Sequence, residues 1–227
     1  MRVLRDNLYL GNLSLTELPD VIRGITVEGD FYCNGNRLTT LKNSPMIVDF
    51  DFYCGGNKLT SLKDGPLVRL GSYICANNKI TTLEGIQEKI DGSFECNGNK
   101  LTTLKGGPSY VKVDFDCNNN MLTNLIGGLT TVGRHYYCNF NSLTSLEGAP
   151  EQVGGSFTCS NNNLTSLVGG PKFVGGHFMC RINKLTSLEG IPKRIFGDFI
   201  CRGNPVIFPE KEIRSMSQIK GKIVQGE

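Results

Sequence analysis

The sequence predicts a repeat solenoid, a curved stack of about ten coils with one parallel β-sheet and little helix except a short C-terminal cap. Three observations predict this fold class. The nine cysteines recur at a constant interval of 21 residues, from Cys33 to Cys201. An Asn follows each cysteine by three residues, and a Phe or Tyr precedes each by two residues. A fixed period of this length is the signature of a repeat array rather than of a disulfide framework.

The repeating unit reads V-x-G-x-F-x-C-x-x-N-x-L-T-S-L-x-G-x-P. Its first part alternates with period two, which predicts a strand whose Val, aromatic and Cys side chains point inward. The remainder is rich in Gly and Pro and is too short and broken for an α-helix. Stacked units therefore form a parallel sheet on one side and an extended or 3₁₀-like outer side.

Three segments follow from the register of the repeat. Residues 1–26 form an N-terminal cap and a degenerate first coil, and residues 27–208 form nine 21-residue repeats. Residues 209–227 leave the pattern and form a capping helix and tail. Terminal units of a repeat array are expected to be atypical because they cover the ends of the stack.

Composition narrows the class of function. The 227 residues include 24 Lys and Arg against 21 Asp and Glu, a net charge of +3, which gives no overall argument for nucleic-acid or membrane binding. No apolar run of about 18 residues is present, and the start of the chain lacks the apolar region of a secretory signal. These features predict a cytoplasmic protein with no membrane partner.

The repeated polar residues favour a structural role over chemistry. Nine in-register Asn residues predict a buried ladder that satisfies backbone groups at each turn. The cysteines predict one buried column of free thiols, because no pair has zinc-ligand spacing. His135 and His177 are two coils apart, too far to share a metal, and are expected to be exposed. The sequence predicts no enzyme, no metal and no cofactor.

The motif F-x-C-x-x-N-x-L-T-S-L resembles the leucine-rich repeat, over roughly residues 8–208. The version with L-T-S-L-E-G-A-P and V-G-G-x-F-x-C, at residues 143–159, looks like the short repeats of bacterial and large tailed-phage proteins. The resemblance implies a curved solenoid whose parallel sheet lines the concave side. It also implies binding of other proteins, and it implies no chemistry.

Function is expected on the concave face, where the residues flanking each Cys point outward. Exposed apolar side chains, Tyr and Arg are typical of protein interfaces. The sequence therefore predicts a monomeric, non-catalytic module that binds a protein partner, one version being a phage-encoded inhibitor of a host enzyme or defence protein. The candidate partner-binding residues are Tyr32, Tyr53, Ile74, Glu95, Asp116, Tyr137, Phe140, Met179, Arg181, Ile200 and Arg202.

Two alternatives remain. A basic stripe four residues after the Cys, formed by Arg37, Lys58, Lys79 and Lys100, could bind nucleic acid or another polyanion, or could be a solvated face that discourages aggregation. A structural role, as a virion component, is the other alternative. Caps at both ends argue against end-to-end stacking of copies because they cover strand edges.

Overall fold

A computed structural model describes residues 2–226 and shows a parallel-strand β-solenoid of about eleven turns with very little helix. The predicted fold class is confirmed. Strands of two residues repeat once or twice per coil and pair in register with the coils before and after, as Phe31 does with Phe52. Eleven of them form one continuous parallel sheet, which we call the long sheet.

In chain order the strands are β1 Val3–Leu4, β2 Leu8–Tyr9, β3 Thr26–Val27, β4 Phe31–Tyr32, β5 Ile47–Val48, β6 Phe52–Tyr53, β7 Leu67–Val68, β8 Tyr73–Ile74, β9 Lys89–Ile90, β10 Phe94–Glu95, β11 Tyr110–Val111, β12 Phe115–Asp116, β13 Thr131–Val132, β14 Tyr136–Tyr137, β15 Gln152–Val153, β16 Phe157–Thr158, β17 Phe173–Val174, β18 Phe178–Met179, β19 Arg194–Ile195, β20 Phe199–Ile200, β21 Gln218–Ile219 and β22 Ile223–Val224. A 3₁₀ turn spans Asp20–Ile22, and the helix α1 spans Glu210–Met216. The long sheet contains the even-numbered strands from β2 to β22.

The segment predicted as a single strand is divided in the structure. Its Val lies on a second face and its aromatic on the long sheet, for example in β15 and β16. A bend at Gly154 and Gly155 separates them, and a Cβ on Gly154 would collide with the carbonyl oxygen of Gly133 in the coil below. The repeated glycine therefore marks a corner, and one predicted sheet becomes a long sheet and a second line of strands.

The second face is interrupted once. Strands β1, β3, β5 and β7 form a four-stranded sheet, and the odd-numbered strands from β9 to β21 form a seven-stranded one. Val68 follows Leu62 by six residues, whereas Val48 follows Leu41 by seven, so this coil reaches its second-face strand one residue early and regains that residue before Tyr73. The Gln87 side chain bridges the break: the Val68 N–H donates to Oε1 (2.7 Å), and Nε2 donates to the Val68 carbonyl (2.6 Å).

Inside the coils, each repeated apolar position forms a buried column. Phe and Tyr rings at the strand position from Phe31 to Phe199 lie with neighbouring centroids 4.9–6.2 Å apart. The nine cysteines are free and buried beside them. Because every coil adds the same side chains to the same columns, the core is continuous along the stack.

The Asn ladder links each coil to the one before it. Asn57 donates from Nδ2 to the carbonyls of Cys33 and Cys54, both at 3.0 Å, and its Oδ1 accepts from the Leu38 N–H at 3.0 Å. The same pattern recurs along the repeats, as at Asn162. An unpaired buried polar group costs about 1–3 kcal/mol, so the amide at this turn is a requirement of the fold.

The C-terminal segment contains the predicted helix and one coil more than predicted. Helix α1 follows Pro209 and buries Ile213. The chain then returns as β21 and β22, which pair with β19 and β20. This last coil has Ile223 and Gln225 where the repeat has an aromatic and a Cys, so the pattern that identifies the other coils does not reveal it.

Candidate binding groove on the long sheet

The structure places the predicted partner-binding residues along the outer face of the long sheet. The residue before each Cys lies there in one column running from Tyr32 to Ile200, half-buried except at Thr158, which is buried. The residue after each Cys lies beside that column, and at Arg181 and Arg202 it is exposed. Phe140 is exposed but lies beyond its strand, at the turn that follows.

The first coils carry a stack of three tyrosine rings. Tyr9 and Tyr32 lie 5.0 Å apart, and Tyr32 and Tyr53 lie 4.6 Å apart, with nearly parallel planes. The Tyr32 hydroxyl donates to Asp30 Oδ2 (2.9 Å), and this bond, with burial, raises the pKa of Tyr32 to about 12. Burial, followed by the bond from its hydroxyl to Asp51, also raises the pKa of Tyr53. The rings form a fixed, uncharged aromatic surface.

A column of hydrogen-bond acceptors runs along the edge of this face, three residues before each Cys. Each side chain accepts the backbone N–H of the equivalent residue in the next coil. Sequence reasoning predicted only exposed polar residues here. Their shared property, readable in the sequence, is that every side chain can accept a hydrogen bond. We call it the acceptor column; it contains Asn7, Asp30, Asp51, Ser72, Ser93, Asp114, His135, Ser156, His177 and Asp198.

Both histidines belong to the acceptor column. His135 Nδ1 accepts from the Ser156 N–H at 3.0 Å, and His177 Nδ1 accepts from the Asp198 N–H at 2.9 Å. Each Nδ1 thus lies at the backbone N–H of the next coil, as the other acceptors of the column do. The two rings therefore serve the fold. Within the described residues, no group of three or more His, Cys, Asp or Glu could hold a metal ion.

Two carboxylates lie side by side in the middle of the long sheet. Glu95 and Asp116 are register partners on β10 and β12. Burial raises the pKa of Asp116 to about 6, although the Asn118 N–H donates to its Oδ1 at 2.8 Å. Burial, followed by repulsion from Asp114, raises the pKa of Glu95. The pair lacks a compensating cation within salt-bridge distance among the described side chains.

Further along the sheet, one coil has small residues where its neighbours have large ones. Ser156, Thr158 and Ser160 are all buried. The adjoining coils rise on either side with Tyr137 and Met179, and the result is an open groove of about 570 Å³ across the sheet. We call it the groove. Its lining residues are His135, Tyr137, Asn139, Phe140, Ser156, Thr158, Ser160, Asn161, Met179, Arg181 and Ile182.

Three predicted residues, Tyr137, Phe140 and Met179, thus meet at the groove with a fourth, Arg181. The sequence-based prediction did not include the residues that form the floor of the groove. Thr158 and Ser160 were visible in the sequence as small residues in a column of larger ones, and this contrast is the signal that could have identified the groove. Tyr32 and Tyr53 lie away from it on the earlier coils.

The rim of the groove has an unusual backbone. Phe140 and Ile182 have φ of 54° and 50°, in the left-handed region, and their side chains are 55% and 52% exposed. Bulky and β-branched residues rarely adopt this conformation. The equivalent turns of the other repeats use Gly or Asn: Gly35, Gly56, Asn77, Gly98, Asn119, Asn161 and Gly203. Strained residues that persist without a packing reason cluster at functional sites.

Basic side chains occupy two exposed places. No carboxylate of residues 2–226 lies within 4.0 Å of the guanidinium of Arg181 or Arg202, which sit on adjacent coils beside the groove. The predicted basic stripe is likewise exposed and makes no ion pair in the part of the chain that the structure describes. It comprises Arg37, Lys58, Lys79 and Lys100.

No family model matches the chain, and no curated protein matches it. The described part of the chain contains no helix long and apolar enough to cross a membrane.

Proposed function

We propose that this protein is a non-catalytic binding module that holds a polypeptide partner against the long sheet, centred on the groove. The observation that carries the proposal is the rim: Phe140 and Ile182 project apolar side chains into solvent from a strained backbone. Every other repeat avoids this strain with Gly or Asn. A strained conformation whose side chain stays more than half exposed in the free protein is explained if a partner buries it.

The surroundings of the rim fit a protein partner. Tyr, Arg and Met are the residue types enriched in protein interfaces, and Tyr137, Met179 and Arg181 line the groove. The groove is open, and the described residues that line it include no carboxylate, which suits recognition better than catalysis. We propose a monomer that acts in the cytoplasm. A phage-encoded inhibitor of a host enzyme or defence protein is the version that the repeat resemblance suggests.

The test fills the groove from its floor, at Thr158. Thr158→Tyr places a ring beside Tyr137 in the column where Tyr9, Tyr32 and Tyr53 already stack. Thr131→Tyr, on the exposed second face, is the matched control. We expect peptides selected from a random display library on the full chain to bind Thr158→Tyr at least about tenfold more weakly, and the control unchanged. Peptides indifferent to Thr158→Tyr, or no enrichment, would contradict the proposal.

A second candidate rests on the basic stripe. Four exposed cations on adjacent coils repel each other, and a polyanion would relieve this repulsion. We propose nucleic acid as the alternative ligand of this surface. Retention on labelled nucleic acid at about 0.15 M salt, lost when Lys58, Lys79 and Lys100 become Glu, would support it. No retention would remove this candidate.

A further inference from the structure

The groove lies between charges of opposite sign. Asp116 and Glu95 are on the coils before it, and Arg181 and Arg202 are on its far wall and the next coil. Register pairing places Asp116, Tyr137, Thr158 and Met179 on four successive strands of the long sheet. At about 4.8 Å per strand, the carboxylate of Asp116 and the coil of Arg181 are separated by roughly 14 Å along the stack.

Among residues 2–226, these charges lack a partner of opposite sign. The guanidinium groups of Arg181 and Arg202 meet no carboxylate of residues 2–226 within 4.0 Å, and Glu95 and Asp116 meet no cation there. Asn97 Oδ1, in the coil of Glu95, is buried and accepts no hydrogen bond from the described residues. The Asn118 N–H, which could have satisfied it, donates instead to Asp116. A cationic donor would pair with the carboxylates of Glu95 and Asp116. An anionic acceptor would pair with Arg181 and Arg202 at the other end.

We propose that the partner contributes an extended segment carrying a basic residue, then an apolar residue, then an acidic residue on one face. The inference rests on the proposed function and gives its partner a chemistry. The basic residue pairs with Glu95 and Asp116, the apolar side chain enters the groove above Thr158, and the acidic residue pairs with Arg181. In an extended chain alternate side chains share a face, so Lys-x-Phe-x-Glu spans about 13 Å, close to the separation of the charges.

The probes are capped nonapeptides with one dye: Gly-Thr-Lys-Thr-Phe-Thr-Glu-Thr-Gly, the version with Lys and Glu exchanged, and versions with two Lys or two Glu. Binding to the full chain is measured by fluorescence anisotropy up to about 1 mM peptide. We expect one of the two mixed-charge peptides to bind at least about tenfold more tightly than either like-charged peptide. The two mixed peptides together test both chain directions.

The charge order is tested from the protein side by Arg181→Glu, with Lys112→Glu on the second face as the control of equal charge change. Arg181→Glu should bind the mixed-charge peptide more weakly and the two-Lys peptide more tightly than the wild type does. The control should keep the wild-type order of affinities. Equal binding of all four peptides, an equal effect of the control, or no binding overturns the inference. Display peptides that bind the wild type but not Thr158→Tyr could instead have an affinity that does not depend on these charges. That result would support the proposed function and overturn this inference.

Discussion

Phe140 and Ile182 show how a single residue departs from the rules of its own repeat. Both occupy a turn where the seven other 21-residue repeats place Gly or Asn, and both keep a positive φ. For an L-residue other than Gly or Asn this backbone costs about 1–2 kcal/mol. Since both side chains are more than half exposed, packing within the protein returns only part of that cost. We therefore expect stability and binding to oppose each other at the rim.

Ile182→Asn tests this opposition. Asn tolerates the left-handed region, so we expect the free energy of unfolding to rise by about 0.5–1 kcal/mol in urea denaturation, while peptide binding weakens. Ile200→Asn is the matched control, because it makes the same change in strand β20 of the same face. There the change should lower stability. Destabilisation by both substitutions would show that Ile182 is not strained.

Asp116 imposes a second cost at neutral pH, and the sign of its pH dependence follows from its pKa. Burial raises that pKa to about 6 from an ordinary value of 3.8. Between these values the unfolded chain releases a proton that the folded chain keeps, so the stability that the neutral carboxyl provides is lost as pH rises towards 6. The cost is complete above that value and absent below about pH 4.

Asp116→Asn should therefore be more stable than the wild type at pH 7, by about 1–2 kcal/mol after allowing for solvent screening, and equally stable near pH 4. The Asn amide oxygen can still accept the Asn118 N–H, so the geometry is kept. The measurement is the difference in urea unfolding free energy across this pH range. A difference that does not change with pH would contradict the assignment.

At the scale of the coil, each element is joined to the next by side chains as well as by strand pairing. The Asn ladder closes the turn after each strand, and the acceptor column closes its opposite edge. The acceptor column tolerates Asn, Asp, Ser or His because all present an acceptor at the same place. The residue type at this position changes while the hydrogen bond is kept. The fold therefore requires an acceptor there rather than one particular residue.

His135 tests that constraint. His135→Ala should destabilise the fold by about 1–3 kcal/mol because the Ser156 N–H loses its acceptor. His135→Asn keeps an acceptor of the kind found at Asn7 and should cost less than half as much. Both variants lose the ring contact with Tyr137, so their difference in urea unfolding free energy isolates the hydrogen bond. Equal losses would show that the acceptor is dispensable.

The elements differ in how far the sequence predicts them. The long sheet and the Asn ladder were predictable because Phe or Tyr, Cys and Asn recur in every unit. The corner at Gly154 was not predictable. Two short strands that each place apolar residues inward have the same period-two pattern as one longer strand. The groove was not predicted either, because it depends on how Thr158 compares with Tyr137 and Met179 across coils rather than along the chain.

For the whole molecule, the stack is a one-dimensional array in which each coil meets only its neighbours. Interior coils are held on both sides, and the first and last coils on one side only. The nine buried thiols are evenly spaced reporters along this array. Burial raises the pKa of Cys201 to about 11 and the pKa values of the other eight thiols as well, so folded coils hold almost no thiolate near pH 8.

Alkylation by N-ethylmaleimide at pH 8, read by mass spectrometry of peptides, should therefore follow position. In water all nine thiols should resist labelling. In urea below the unfolding midpoint, Cys201 and Cys33 should react first and Cys117 last, because opening from an end breaks the contacts of one coil with one neighbour only. Cys201, already 3% exposed where the interior thiols are 0% exposed, should lead. Equal labelling rates at all nine positions would instead show that the coils open together, so that the groove could not remain formed while the ends fray.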